Sequence, residues 1–320
     1  DDPTNLKSIK NEGLYNSYSL LRDEGPETFY KGELSKIIVK DLREINSFIN
    51  SDDLSDYKSE LTTSAKTVYR NSEVHVAPGL NAGPSLIDAL NFLEKNWRAK
   101  NNNPDAYAYE NYYKALNFSF EKRLKEMGEP KENSCTTHLS VVDKDGNMVA
   151  LTQTLLSVFG SRVILPKSGI LMNNGIMWFD PRQGKPNSLS KDKKPLCNMC
   201  PTIVIDNSGK KIALGASGGR RIFPSVFQTI SFLLDYNMNL DDAFTTPRID
   251  YSGENRILAN EKLGKDIIGN LNNYEKTIEV PDSVLSHSFA CPNAVMSDAT
   301  GNRYGNAYIP SPCSAAISSE

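Results

Sequence analysis

An α+β protein, with an antiparallel sheet covered by helices, is expected from three features of this 320-residue sequence. Apolar residues recur at helical spacing through most of the first 131 residues. Two-residue alternation takes over at Thr136, and helical spacing returns from Pro224. In chain order, helices are expected over 32–50, 85–100 and 107–127, the last two separated by Asn101-Asn102-Asn103-Pro104. Short strands are expected at 64–69 and 74–77. The charged stretch from Lys125 to Asn133 has the composition of an exposed, mobile linker. Strands over 137–143 and 148–155 then flank Lys144-Asp145-Gly146-Asn147, whose Asp-Gly pair signals a tight hairpin. A second hairpin, 202–205 with 211–214, turns at Asn207-Ser208-Gly209, and helices at 224–236, 240–245 and 261–271 follow.

Composition narrows the function classes. A net charge of −3 with scattered Lys and Arg gives no basis for nucleic-acid binding. No apolar run reaches the ~18–20 residues of a membrane span. The first ten residues are polar and acidic, so a secretory signal is not expected in this stretch. Five cysteines cannot all pair within one chain. Cys197-Asn198-Met199-Cys200 is a C-x-x-C without the second pair or the histidines of a zinc site, so no metal is expected. Cys291 and Cys313 are candidates for a disulfide in an exported protein. No organic cofactor is indicated.

The segment Cys135-Thr136-Thr137-His138-Leu139-Ser140-Val141-Val142-Asp143 is the most informative in the chain. A threonine heading a strand is ordinarily just a β-branched residue. It becomes a nucleophile if the Cys135–Thr136 bond is cut, because Thr136 then carries a hydroxyl and a free α-amine. With a reference pKa of about 7.7–8.0, that amine can serve as the base for its own hydroxyl. His138 sits two residues along the same strand and is read as structural, since the amine already supplies the base.

Further motifs make the reading specific. Thr136-Thr137-His138-x-Ser140-Val141-Val142-Asp143 is followed by Gly146-Asn147, Thr152-x-Thr154 and Phe159-Gly160. Then come Ser168-Gly169-Ile170-Leu171-Met172-Asn173-Asn174, Lys194-Pro195-Leu196, Met199-x-Pro201-Thr202 and Gly215-x-x-Gly218-Gly219. In this order they resemble the γ-glutamyltranspeptidase family of N-terminal-nucleophile hydrolases. The match is clear from Thr136 to about Tyr308, and weaker upstream through Phe29-Tyr30-Lys31-Gly32-Glu33, Asp53-Leu54-x-x-Tyr57 and Tyr69-Arg70.

The resemblance implies a four-layer αββα sandwich. It also implies a chain that cuts itself at Cys135–Thr136 into a heterodimer of its own subunits. Residues 1–135 would be the C-terminal part of the large subunit and 136–320 the small catalytic subunit. Thr136 would attack a γ-glutamyl or related amide of a small molecule or peptide, and water or an amine would take the acyl group. Thr154 matches the threonine that hydrogen-bonds the nucleophile, Gly218 and Gly219 the oxyanion-hole pair, and Asn174 a residue beside the substrate. A periplasmic or extracellular location follows from the same likeness, with a mature or truncated chain explaining the missing signal. The family has a further N-terminal stretch with sheet strands and a carboxylate-gripping arginine. No position here matches it, so part of the sandwich is expected to be missing.

The substrate pocket departs from the family. Its asparagine after the second threonine motif aligns with Leu156, its ammonium-binding acidic residue with Trp178, and its carboxylate-binding serine pair with Cys197 and Asn198. Asp180 could replace the acid only through a shifted loop, and Arg220 and Arg221 are candidates for holding an acyl carboxylate. A buried ammonium without an anion costs several kcal/mol. Glutaryl-like amides are therefore expected to suit the site better than γ-glutamyl amides. The alternative is a non-catalytic secreted homologue that binds or scaffolds.

Overall fold

The structure is a computed structural model that describes residues 10–128, 135–281, 283, 288–308, 310–311 and 314–318. It divides into two compact units, Asp1–Thr62 with Phe159–Asn174, and Thr63–Val158 with Gly175–Glu320.

The first unit holds α1 (Glu12–Glu24), α2 (Glu27–Tyr30), α3 (Glu33–Glu44) and α4 (Ser51–Ser55). The expected helix over 32–50 stops at Glu44 because Asn46 turns to φ 57. Asn50 then starts α4 with a reciprocal capping box to Asp53. Leu34, Ile38 and Leu42, spaced one helical turn apart, bury one face of α3 against Leu165. Asp41 fixes the returning segment: its Oδ2 accepts from Lys167 N at 3.0 Å, Ser168 N at 2.9 Å and Ser168 Oγ at 3.2 Å. The Ser168-Gly169 motif is thus an anchor inside this unit. Gly169, at φ +67, has no room for a Cβ, which would lie 2.2 Å from Leu14 N.

The second unit contains β1 (Ala65–Tyr69), β2 (Ser72–Val76), α5 (Gly83–Asn96), α6 (Ala106–Glu126), β3 (Cys135–Val142) and β4 (Met148–Leu156). It continues with β5 (Thr202–Asp206), β6 (Lys211–Ser217), α7 (Ile222–Asp235), α8 (Leu240–Thr245), β7 (Ile249–Asp250) and β8 (Ile257–Asn260). The last elements are α9 (Lys265–Leu271), β9 (Thr277–Val280), β10 (Cys291–Ser297) and β11 (Arg303–Ala307). Six strands form one antiparallel sheet in the order β1-β2-β5-β6-β10-β11. The sheet therefore joins strands from both sides of residue 135. β7, β8 and β9 make a separate small sheet.

Alternation along β6 separates its two faces. Ile212, Leu214 and Ala216 enter a core with Leu86, Leu90 and Leu93 of α5, Tyr112 and Leu116 of α6, and Phe223, Phe227 and Ile230 of α7. Each such large apolar side chain contributes about 1.5–3 kcal/mol when fully buried. The opposite face of β6 meets the β3–β4 hairpin. This gives helices, a six-stranded sheet and a two-stranded sheet in succession. On the hairpin's outer side Leu139, Val141, Val149 and Leu151 remain 39–52% exposed.

β10 and β11 were not expected from the sequence; Pro292 and Asn293 disfavour a strand locally, and tertiary pairing of Asn293 with Gly215 and Ala307 overrides that preference. The turn between β1 and β2 places Arg70 and Asn71 at φ 51 and 62, as a two-residue hairpin of the primed type needs. Arg70 is held there by Asp235, by Glu94 at 2.6 Å and by Trp97 O at 2.9 Å.

Candidate active site

Two contacts fix how the hairpin lies on the sheet. Lys211 Nζ donates to Gly146 O at 3.5 Å, so the hairpin's turn sits over the start of β6. The His138 ring lies over Gly215, where any Cβ would come within 2.3–2.6 Å of it, and Asn293 Nδ2 donates to His138 O at 2.7 Å. From Lys211 to Gly215 the hairpin therefore runs from its turn toward its open end. Two further residues, about 7 Å, bring β3 to Thr136 and β6 to Ser217. The nucleophile candidate and the Gly218-Gly219 turn thus share one end of the unit, where Cys197–Pro201 also lead into β5.

Thr136 and Thr154 are direct cross-strand partners, on one face of the hairpin with side chains half-buried. The register breaks between Cys135 and Thr136: Cys135 pairs with Leu156, leaving Leu155 as the extra residue. Such a bulge ends regular pairing and re-aims side chains. Leu156 adopts φ 76, a left-handed conformation that an asparagine tolerates better than a leucine. Its N–H donates to Thr154 Oγ1 at 2.8 Å. In that bond the Thr154 hydroxyl is the acceptor, and its own proton remains a donor. The first two residues of the expected 125–133 linker belong to the last turn of α6, which runs to Glu126, and the linker from residue 129 on lies outside the described residues.

Gly218 at φ 143 and Gly219 at φ 63 occupy conformations that side-chain-bearing residues rarely adopt. A Cβ on Gly218 would lie 2.7 Å from Ala290 Cα. A short 3₁₀ turn, Gly219–Arg221, then feeds α7, so the glycine pair stands just before a helix N-terminus, whose dipole favours negative charge.

His138 is 7% exposed, with Nδ1 2.7 Å from Thr152 Oγ1 and Nε2 3.0 Å from Ser140 Oγ. Its ring is committed to two strand hydroxyls, which agrees with a structural role. Burial lowers its pKa from 6.5 to about 4. The unfolded chain takes up this proton first, so the neutral ring's contribution is complete above about pH 6.5 and is lost as pH falls toward 4. About 2–4 kcal/mol of stability is expected to go in that window. Urea unfolding of His138→Gln should show a correspondingly flatter pH dependence than the wild type; parallel curves would contradict this.

The substrate-side candidates are less uniform. Trp178 ends a 3₁₀ turn, Gly175–Trp178, packed beside β4, with Ile176 and Met177 exposed next to it. Asp180 is not a substitute anion: Arg182 bonds both its oxygens, at 2.9 and 2.7 Å, and holds its pKa near about 2. Arg220 and Arg221 likewise face acids, Glu254 and Asp250, each at 3.9 Å. Cys197 and Asn198 are buried, and burial raises the Cys197 thiol pKa. Cys200 is pushed up to about 12, also by burial. Asn174 belongs to the first compact unit, where it is half-buried. The Cys291–Cys313 pairing falls on Cys313, outside the described residues. Sequence reading missed Arg123, whose guanidinium bonds both Cys197 O and Asn198 Oδ1.

A γ-glutamyltranspeptidase family model matches residues 2–135 and 130–307. The chain is 28% identical to the glutathione hydrolase proenzyme of Escherichia coli, over 74% of this chain and 50% of that protein. It is equally 28% identical to the acylase ACY 1 proenzyme of Pseudomonas sp. strain V22, over 73% and 49%. It thus spans about half the length of these curated relatives. The cephalosporin acylase of Bacillus halodurans superimposes with a TM-score of 0.83 over 94% of this chain and 61% of that one, at 21% identity, which speaks for the fold alone. That fold is the expected α+β architecture of the N-terminal-nucleophile hydrolases. With the family model matched across nearly its whole length, the chain belongs to the γ-glutamyltranspeptidase family.

Proposed function

We propose that this chain carries the catalytic end of a self-processing threonine amidase of γ-glutamyltransferase or acylase type. The observation that carries the reading is the meeting of three features at one end of the sheet. These are a register break at Cys135–Thr136, a Thr136–Thr154 cross-strand pair, and a glycine turn ahead of a helix N-terminus.

In this mechanism Thr136 Oγ attacks the carbonyl carbon of Cys135, and its proton passes to the departing Thr136 nitrogen. The shift leaves the Thr136 α-amine free, and water then hydrolyses the resulting ester to give back the Thr136 hydroxyl and a Cys135 carboxylate. The amine then accepts the hydroxyl proton as Oγ attacks the substrate amide, and returns it to the leaving amine. The Gly218 and Gly219 N–H groups face the developing oxyanion. Residues up to 135 remain as the C-terminal part of the large subunit, paired with 136–320. The chain works outside the cytoplasm.

The acyl donor on this reading lacks a free α-amine. Trp178 stands where an acid is needed, and Asp180 is engaged by Arg182. The names of the relatives, a glutathione hydrolase and an acylase, bracket the two choices. Glutaryl-p-nitroanilide is expected to exceed γ-glutamyl-p-nitroanilide in kcat/KM by about 10-fold or more, from the missing ammonium partner. Faster cleavage of the γ-glutamyl compound would contradict this assignment.

A further inference from the structure

Arg123, in the last turn of α6, is 4% exposed. Its Nη1 donates to Asn81 O at 2.8 Å and Ser85 Oγ at 3.3 Å; its Nη2 donates to Cys197 O at 2.7 Å and Asn198 Oδ1 at 3.1 Å. None of these partners is a carboxylate. Burial lowers its pKa to about 10, and nearby Arg220 pushes the same way. The segment it grips is also pinned by backbone bonds, Cys197 N to Leu80 O and Ala82 N to Met199 O, both 3.0 Å.

A guanidinium only donates, so the Asn198 side-chain oxygen must face Arg123 and its amide nitrogen must face away. That nitrogen has no bonding partner among the described residues and is not sealed from solvent. We propose that Arg123 is a positioning residue for acyl-donor selection. By holding the Asn198 oxygen, it turns two amide N–H donors outward at the end of the sheet that carries Thr136. The preferred acyl group then ends in an acceptor, a carboxylate above all. A buried cation with no anion among its partners favours a negative charge in the ligand. Arg123 acts through Asn198 and does not itself touch substrate. The inference rests on the amidase reading and deepens it.

The test compares glutaryl- with pentanoyl-p-nitroanilide, which differ only in the terminal acceptor, on the full-length protein. The wild type should prefer the glutaryl compound by about 10- to 100-fold in kcat/KM, the worth of one charge-assisted hydrogen bond. Arg123→Met should erase that preference mainly by raising the KM of the glutaryl substrate, with a much smaller effect on the pentanoyl compound, and Arg123→Lys should restore part of it. Equal losses on both substrates would reduce Arg123 to a structural role and overturn the proposal. If Arg123→Met fails to fold, Asn198→Asp serves, since it pairs the cation while removing the donors; a retained preference there overturns the proposal. If the wild type cleaves neither anilide, the amidase reading fails. Glutarate binding by calorimetry then decides this inference separately. About 10-fold weaker binding to Asn198→Asp supports it, and equal binding overturns it.

Discussion

An alanine at position 136 is expected to leave the chain uncut and to lower amide hydrolysis by at least about 10⁴-fold, the scale on which nucleophile deletions act. The argument is local. Thr137 is exposed on the outer face of the hairpin, pointing away from Thr154. Thr154 lies mid-chain and can never acquire a free α-amine, and its Oγ1 already accepts from Leu156 N. No neighbour can take over both the hydroxyl and the base. Thr136→Ser keeps both groups and should retain cutting and turnover, with a slower rate from the freer rotamer. Steady-state hydrolysis of the glutaryl anilide by the two variants checks this. An alanine variant as active as the wild type would remove Thr136 from the mechanism.

Gly218→Ala should lower kcat by about 10²–10³-fold with little change in KM, the loss found when one oxyanion donor is displaced. An alanine is poorly accommodated at φ 143, and its Cβ would stand 2.7 Å from Ala290 Cα and 2.8 Å from its Cβ. The turn has to move, and its N–H groups move with it. In the proposed mechanism an analogous oxyanion forms when Cys135 is attacked and when substrate is attacked, so self-cleavage and hydrolysis should slow together. A variant with lowered melting temperature but normal kcat would show that the turn matters for packing only.

The sequence made some of this legible and hid the rest for identifiable reasons. The β3–β4 hairpin was readable because one of its faces alternates cleanly and Asp145-Gly146 marks the turn. Helix α8 falls where expected, over 240–245, with Asn239 as its cap. β10 was hidden because Pro292 and Asn293 oppose strand formation locally, while the pairing that overrides them lies 78 residues away at Gly215. The end of α3 was overrun because no glycine or proline breaks the pattern between Glu33 and Asn50, while Asn46 takes a left-handed turn. Among the candidate site residues, Thr136, Thr154, Gly218 and Gly219 come from recognisable motifs, and they lie toward one end of the sheet. Arg123 was missed because Glu121-Lys122-Arg123 reads as a charged, solvated helix face. Only the fold reveals that Arg123 is buried while Lys122, its neighbour, reaches out to Asp88 at 2.9 Å. Arg220 and Arg221 show the converse: their place after the glycines suggested ligand binding, but their charges face Glu254 and Asp250.

The most direct test of the central claim is the intact mass of the full-length protein after incubation, with N-terminal sequencing of any fragment. Two fragments, one of them beginning at Thr136, are the predicted result. A folded protein that stays in one piece, or is cut anywhere else, would contradict a latent nucleophile at the head of β3.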